Sequence, residues 1–459
     1  MKFATSPLLI AALVFTVSGC HKSLSNETSL GSTSSLVPES MAQAIAESFN
    51  PKVFYNTSNP TNHDPIVNTL TGNNTITNII AIKDQSNVPA IYVCNFADHQ
   101  GFLFVSATYK VKPILGFVED GEFNYNDFMA RDKSIPPGFI KWMTMIVHNI
   151  QVVRQSPLDT AKYSQTFWKT YVSANTQKGA SYTAKTLELS RKINEAVTET
   201  LADNPNTSPI GPTNPCTLDP GYTHDSSVGA GPLLAVAWGQ EVTYNEDCLN
   251  LSCTEVSGPH VPTGCVATAG AMIIDYWKPT VPVAYNYAAM PATYGNSYLE
   301  QLMYDMGQYT GMSYSCSASS TSAGALQEAF DLTFNWPLPN LWTYTNTNNA
   351  NLQRVITNLN EGYIVALSGN DSIGGHLWDC DGYSELWENY CYNDQLQTLY
   401  SVELHMNWGF HETFCNAPKN RPDYIGMYDY DNWEISGGGP SGTNLDFDYS
   451  DYAITEIHN

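Results

Sequence analysis

Apolar positions recur along the first half of the chain with two different periods. Over residues 39–49, Met41, Ile45 and Phe49 fall on one helical face. Three short runs follow, 90–96, 101–108 and 113–118, and each reads as a strand. The first two are joined by the hairpin-like link 97–100. Pro136 and Pro137 then open a helix whose Phe139, Met143, Ile146, Ile150 and Val153 form one stripe. A later stripe, Leu189, Ile193, Val197 and Leu201, predicts another amphipathic helix. These elements make a small α+β unit with no catalytic grouping.

The second half is patterned differently. The run 263–277 reads as a buried helix beginning at the thiol of Cys265, with Thr263 as a candidate N-cap and Pro279 as its stop. Small residues at 267 and 269–271 allow neighbours to pack closely against it. A Tyr-, Met- and Ser-rich stretch (303–322) and a short helix (325–330) come next. The run 362–369 is a strand candidate. In 375–383 residues alternate, placing His376, Trp378 and Cys380 on one strand face. Residues 404–410 and several short aromatic strands complete a barrel-like finish behind a helical start.

Charge divides the chain at the same place. Residues 1–202 carry 16 Lys and Arg against 15 Asp and Glu; from 203 onward the count is 4 against 29, within a net charge of −24. An acidic second unit repels nucleic acid and anionic lipid surfaces, so neither is an expected partner. The segment 203–216 contains Pro205, Pro209, Pro212 and Pro215 and reads as an exposed linker open to proteolytic nicking. The boundaries expected are therefore a signal at 1–20, a first unit at 21–204, a linker at 205–215 and a second unit at 216–459.

Lys2, the apolar run 8–14 and the small residues before Cys20 form an export signal too short to span a bilayer. The sequence around Cys20 resembles a bacterial lipoprotein cleavage box. It implies a lipid anchor on Cys20 as the chain's membrane attachment, at the outer membrane or cell surface. Residues 21–36 then read as a flexible tether. Beyond Cys20 and Cys265, eight further cysteines are spaced irregularly, which permits disulfides without specifying their pairing.

A thiol at a helix start is favoured as thiolate by the positive end of the helix dipole. Thiol catalysis also needs a base, a group that orients it, and donors for the developing oxyanion. The candidates are Cys265 as nucleophile and His376 as base. Asn407 and Trp408 are candidates to orient and shield the imidazole, and Gln240 for the oxyanion. Cys248, Cys253, His260 and Cys265 also have zinc-ligand types at short spacing, but a closed metal site would bury the helix-end thiol. No cofactor or metal is expected. His405 and His411 read as structural or exposed.

Trp238-Gly239-Gln240, Thr263-Gly264-Cys265-Val266-Ala267-Thr268-Ala269, Gly375-His376-x-Trp378-x-x-Asp381-Gly382-Tyr383 and Asn407-Trp408-Gly409 occur in this order. The arrangement resembles the streptopain family of bacterial cysteine peptidases. The runs 101–107 and 113–117 and the helix after Pro136 resemble that family's inhibitory pro-domain. The resemblance implies an α+β chain, a small pro-domain ahead of a papain-like catalytic domain with helical and antiparallel β barrel-like parts. It implies an endopeptidase zymogen acting on protein or peptide substrates, with the pro-domain as intramolecular inhibitor. Cys265 would be the nucleophile and His376 the proton acceptor. Gln240 would serve the oxyanion hole, Trp408 would pack on the histidine, and Gly375 and Ser317 would contact substrate. Where the family continues Gly-Trp-Gly-Gly, this chain has Gly409-Phe410-His411-Glu412, a departure beside the histidine. The rival expectation is a catalytically silent surface binding protein on the same scaffold.

Overall fold

The computed structural model describes residues 35–51, 54, 74–132, 134–155, 168, 223–343, 349–370, 375–392, 395–411, 422–429 and 452–458. The export signal, Cys20, the helix expected at 189–201 and the proline-rich linker lie outside these residues.

In the first unit, helix α1 (Glu39–Ser48) precedes four strands, β1 (Ile76–Lys83), β2 (Pro89–Phe96), β3 (Phe102–Ser106) and β4 (Ile114–Val118). They pair as an antiparallel meander. Every residue of β3 and β4 is buried, because both faces of the sheet are covered. Leu103, Val105 and Phe117 pack with Ile45 and Phe49 on the α1 side. Phe102, Phe104 and Val118 pack with Phe139, Trp142 and Met143 of α3 (Pro137–Gln155), which follows the short α2 (Tyr125–Ala130). Two-sided burial is why these strands read as unbroken apolar runs.

The second unit begins with β5 (Thr223–Ala230) and centres on α4 (Cys265–Trp277), in which residues 266–274 are all buried. Apolar side chains surround this helix, as expected of a core helix. At Gly270 an added Cβ would lie 2.5 Å from Met306 and 2.8 Å from Leu326. Glycine there admits both α5 (Ser297–Tyr309) and α6 (Ala323–Leu332). Asn349–Asn360 forms α7. The remaining strands are β6 (Asn340–Thr343), β7 (Val365–Asn370), β8 (Gly375–Tyr392), β9 (Gln395–Asn407), β10 (Gly426–Asp429) and β11 (Tyr452–Thr455).

Among the described residues the strands form one sheet in the order β1-β2-β3-β4-β10-β9-β8-β7-β11-β6, with β5 paired to β8. Its join is antiparallel pairing of β4 with β10, Gly426 opposite Val118 and Tyr428 opposite Gly116. The two units read from the sequence thus share a sheet and an apolar core. An ion cluster is buried in the same seam. Lys112 lies 2.8 Å from Glu403 and 2.9 Å from Asp429, and donates to Ser401 at 2.7 Å.

Candidate active site

Cys265 is the first residue of α4 and retains some accessible surface within close protein surroundings. Thr263 is not the cap expected of it. Its hydroxyl sits 2.8 Å from that of Thr268, which in turn donates to the Gly264 carbonyl at 3.1 Å. Gly264 takes the N-cap position instead, with φ 88° and no side-chain cap. That left-handed backbone suits glycine, and an added Cβ would come within 2.8 Å of the Ser319 carbonyl oxygen.

Without a side-chain cap, the N–H groups of Cys265 and Val266 turn to the thiol, joined by the N–H of Leu377. All three favour thiolate, yet burial outweighs them and raises the thiol above its ordinary value. The expected preference for thiolate is therefore reversed in the full chain, since desolvation is the larger effect. The Leu377 contact also places the thiol at the start of β8, one residue from His376.

His376 is buried at 5 % exposure. Its Nε2–H donates to the Trp408 carbonyl at 2.8 Å, which leaves the lone pair on Nδ1. The ring stacks with Trp378 and Trp408 at centroid distances of 6.0 and 6.4 Å, and Phe410 meets it edge-on at 5.1 Å. Burial in this aromatic box lowers its pKa to about 4, against the Trp408 hydrogen bond, so the ring is neutral at pH 7.

The other expected residues surround this pair unevenly. The Gln240 side-chain amide donates to the Gly409 carbonyl at 3.2 Å, and its backbone carbonyl accepts from Thr263 at 2.9 Å, two residues before the thiol. Asn407 does not orient the imidazole through its side chain. Its amide donates to Val236 at 2.9 Å and its oxygen accepts from Gly409 at 3.2 Å, so it fixes the turn whose Trp408 carbonyl holds His376. Gly375 is exposed at the start of β8, and Ser317 is exposed on the 313–320 loop, 3.2 Å from the Ser315 hydroxyl.

Sequence reasoning missed Phe410 and the Leu377 N–H. The alternation of 375–383 carried a signal for the second. Only the departure from the family pattern marked the first. Cys253 is bonded to Cys316, which removes the zinc arrangement, and no metal-binding cluster occurs among the described residues. His405 is buried rather than exposed, 2.5 Å from Asp381 and 3.3 Å from Glu119.

A helix-borne thiol at the head of a histidine strand, on a mixed helix-and-antiparallel-sheet scaffold, defines a cysteine hydrolase of the papain-like class. Residues 238–413 match the model of the peptidase C10 family, and residues 34–137 match that of the Spi protease inhibitor. A peptidase C10 match and an inhibitor match on one chain make it the zymogen of a cysteine-type endopeptidase. Among solved structures it is similar to a fragment of Prevotella intermedia prointerpain A, at 16 % identity and TM-score 0.45, covering 84 % of this chain and 99 % of that one. It is also similar to active interpain A cysteine protease of the same organism, at 18 % identity and TM-score 0.34, covering 50 % and 96 %. No curated protein matches the sequence significantly.

Proposed function

We propose that Cys265 and His376 are the working pair of this endopeptidase, that residues 21–204 hold it latent, and that cutting within 205–215 releases it. The observation that carries the reading is the neutral His376, tied through Nε2 to the Trp408 carbonyl with Nδ1 left as proton acceptor, next in sequence to Leu377, whose N–H meets the Cys265 thiol.

In the released enzyme the thiol proton passes to Nδ1, and the thiolate attacks a peptide carbonyl. The Cys265 N–H and the Gln240 amide, freed from Gly409, receive the oxyanion. His376 protonates the leaving amine, and water then hydrolyses the thioester. Gly375 and Ser317 contact the substrate, and Asn407 and Trp408 keep the imidazole in place.

In the full chain the same pair is uncharged, because burial raises the thiol and lowers the imidazole. The first unit supports that burial from behind. Gly138 of α3 packs so tightly that an added Cβ would lie 2.3 Å from the Trp408 ring and 3.3 Å from Trp378. Its removal admits water to the aromatic box and lets the charged pair form. Export by the N-terminal signal and anchoring through Cys20 belong to the same proposal. Among the described residues no helix is long and apolar enough to cross a membrane.

The test is to incubate the full chain and its Cys265→Ala variant under reducing conditions with casein. The wild type is expected to shorten within 205–215 and to cleave casein, and the variant to do neither. A wild type that stays inert even after linker cutting by an added protease would leave only a silent scaffold.

A further inference from the structure

The 313–320 loop is a tight hairpin in which Ser313 and Ser320 exchange both backbone hydrogen bonds at 3.0 Å. Its inner end presses on the residue ahead of the thiol. Gly264 has room for no side chain against the Ser319 carbonyl and the Met312 sulfur, each within 2.9 Å of an added Cβ. Ser319 is buried, and its hydroxyl has no hydrogen-bond partner among the described residues. Ser315 and Ser317 face outward. Between Cys316 and Ser320 the hairpin offers only Ser and Ala, so it carries little apolar surface to pack itself down.

A covalent bond supplies the hold. Cys316 is joined to Cys253, across 63 positions of sequence, on the loop that leads into the catalytic helix. That loop is fixed in its own right: Cys253 donates to Pro259 and Val261 to Leu249, both at 3.0 Å. The Asn245 amide caps the carbonyls of His260 and Val261. One bond thus joins two loops on either side of the residue preceding Cys265.

We infer that the Cys253–Cys316 bridge is a specificity-determining clamp: it holds the 313–320 hairpin as a wall of the substrate cleft, and opening it weakens peptide binding while the thiol chemistry persists. This rests on the peptidase reading above. A small dithiol opens the clamp by exchange. One of its thiolates attacks a bridge sulfur to form a mixed disulfide, and its second sulfur displaces the protein, leaving two cysteine thiols and a cyclic disulfide. Cys248, in the same apolar cluster, is no internal exchange partner, since burial pushes its thiol up to about 12. The two sulfur sites therefore make opposite demands: Cys265 must be reduced, and Cys253 with Cys316 oxidised.

The experiment uses the full chain after its own processing, kept in a mild monothiol, with a fluorogenic casein-derived peptide. For Cys253→Ser combined with Cys316→Ser, KM should rise about 5- to 10-fold with kcat held within about 2-fold. Iodoacetamide labelling of Cys265 should be unchanged, and raising dithiothreitol should move the wild type to the same KM as mass spectrometry reports the bridge opening. An unchanged KM with the bridge open overturns the inference, as does a joint fall of kcat and Cys265 labelling, which would make the bridge a support of the helix. If the double variant does not fold, the wild-type dithiothreitol series decides alone. A wild type that turns over no peptide refutes the peptidase reading and this inference with it, whereas turnover at constant KM refutes the clamp alone.

Discussion

Two buried histidines sit on neighbouring strands, His376 on β8 and His405 on β9, and their environments drive them apart. His376 has aromatic rings on three sides and one carbonyl partner, so burial lowers its pKa to about 4. His405 is equally buried, but Asp381 and Glu119 overcome desolvation and raise it to about 10. The same side chain is thus a neutral ring at one position and a cation at the other. Depth does not decide between them; the presence of carboxylates does. The contrast extends to the regions around them. Around Cys265 and His376 the partners are aromatic rings, backbone N–H and carbonyl groups and uncharged polar side chains. The seam with the first unit is lined with charge: Lys112 with Glu403 and Asp429, Glu119 with His405, and the Asp423 N–H donating to Asp120 at 3.1 Å. The proposed chemistry lies in the uncharged region, and the first unit meets the second across both this charged seam and the shared apolar core.

The largest effect should fall in the cleft. Cys265→Ala is expected to lower peptide hydrolysis by about 10⁴-fold or more, with His376→Ala close behind because the two act as a unit. Steady-state rates on processed enzyme check this. Next comes the seam, where Lys112→Met leaves two carboxylates buried without their cation. A loss of about 3–5 kcal/mol in urea unfolding of the full chain is expected; no loss would mean that the seam charges are solvated. Gln240→Ala should reduce kcat by about 10²–10³, below the effect at Cys265, if its amide leaves Gly409 to meet the oxyanion. Gly138→Ala should cost about 1–3 kcal/mol by forcing α3 away from Trp408, and should speed self-processing.

The smallest effect is in pH. A histidine raised to about 10 lends stability that is fully present below its unfolded pKa of about 6.5 and fades as pH rises through 10. Asp120 acts in the same direction. Burial first, and Asp423 next, raise it to about 8, so its contribution is lost as pH rises from its ordinary value near 4 through 8. His376 has the opposite sign, its contribution being lost as pH falls from about 6.5 toward 4. Full-chain stability should therefore fall as pH rises toward 10, while between pH 4 and 6.5 Asp120 and His376 act in opposite senses. Glu119→Gln should weaken chiefly the decline toward pH 10, as denaturant midpoints between pH 4 and 10 will show.

Local pattern carried much of this molecule. The thiol helix was legible from its small residues and its proline stop, and the β8 start from its alternation. The helix at Asn349–Asn360 was not, although Leu352, Val355, Ile356 and Leu359 are buried at helical spacing; the Asn and Thr around them are weak helix formers. The seam was invisible because Lys112 and Glu403 are brought together only by pairing of β4 with β10 and of β10 with β9. At the site, residue types pointed to the chemistry, but the direction of the thiol shift depended on burial, which a helix-end argument omits. The replacement of Asn407 by the Trp408 carbonyl as the histidine's partner is likewise a matter of backbone placement.

The direct measurement is the pH profile of Cys265 alkylation by iodoacetamide, taken on the full chain and again after processing. The full chain should label slowly below the ordinary thiol pKa of about 8.5, since burial holds Cys265 and His376 uncharged. The processed chain should label rapidly at pH 5–6 and lose that fast reaction in His376→Ala. Equally slow labelling before and after processing would contradict a latent thiol–imidazole pair at the head of the helix.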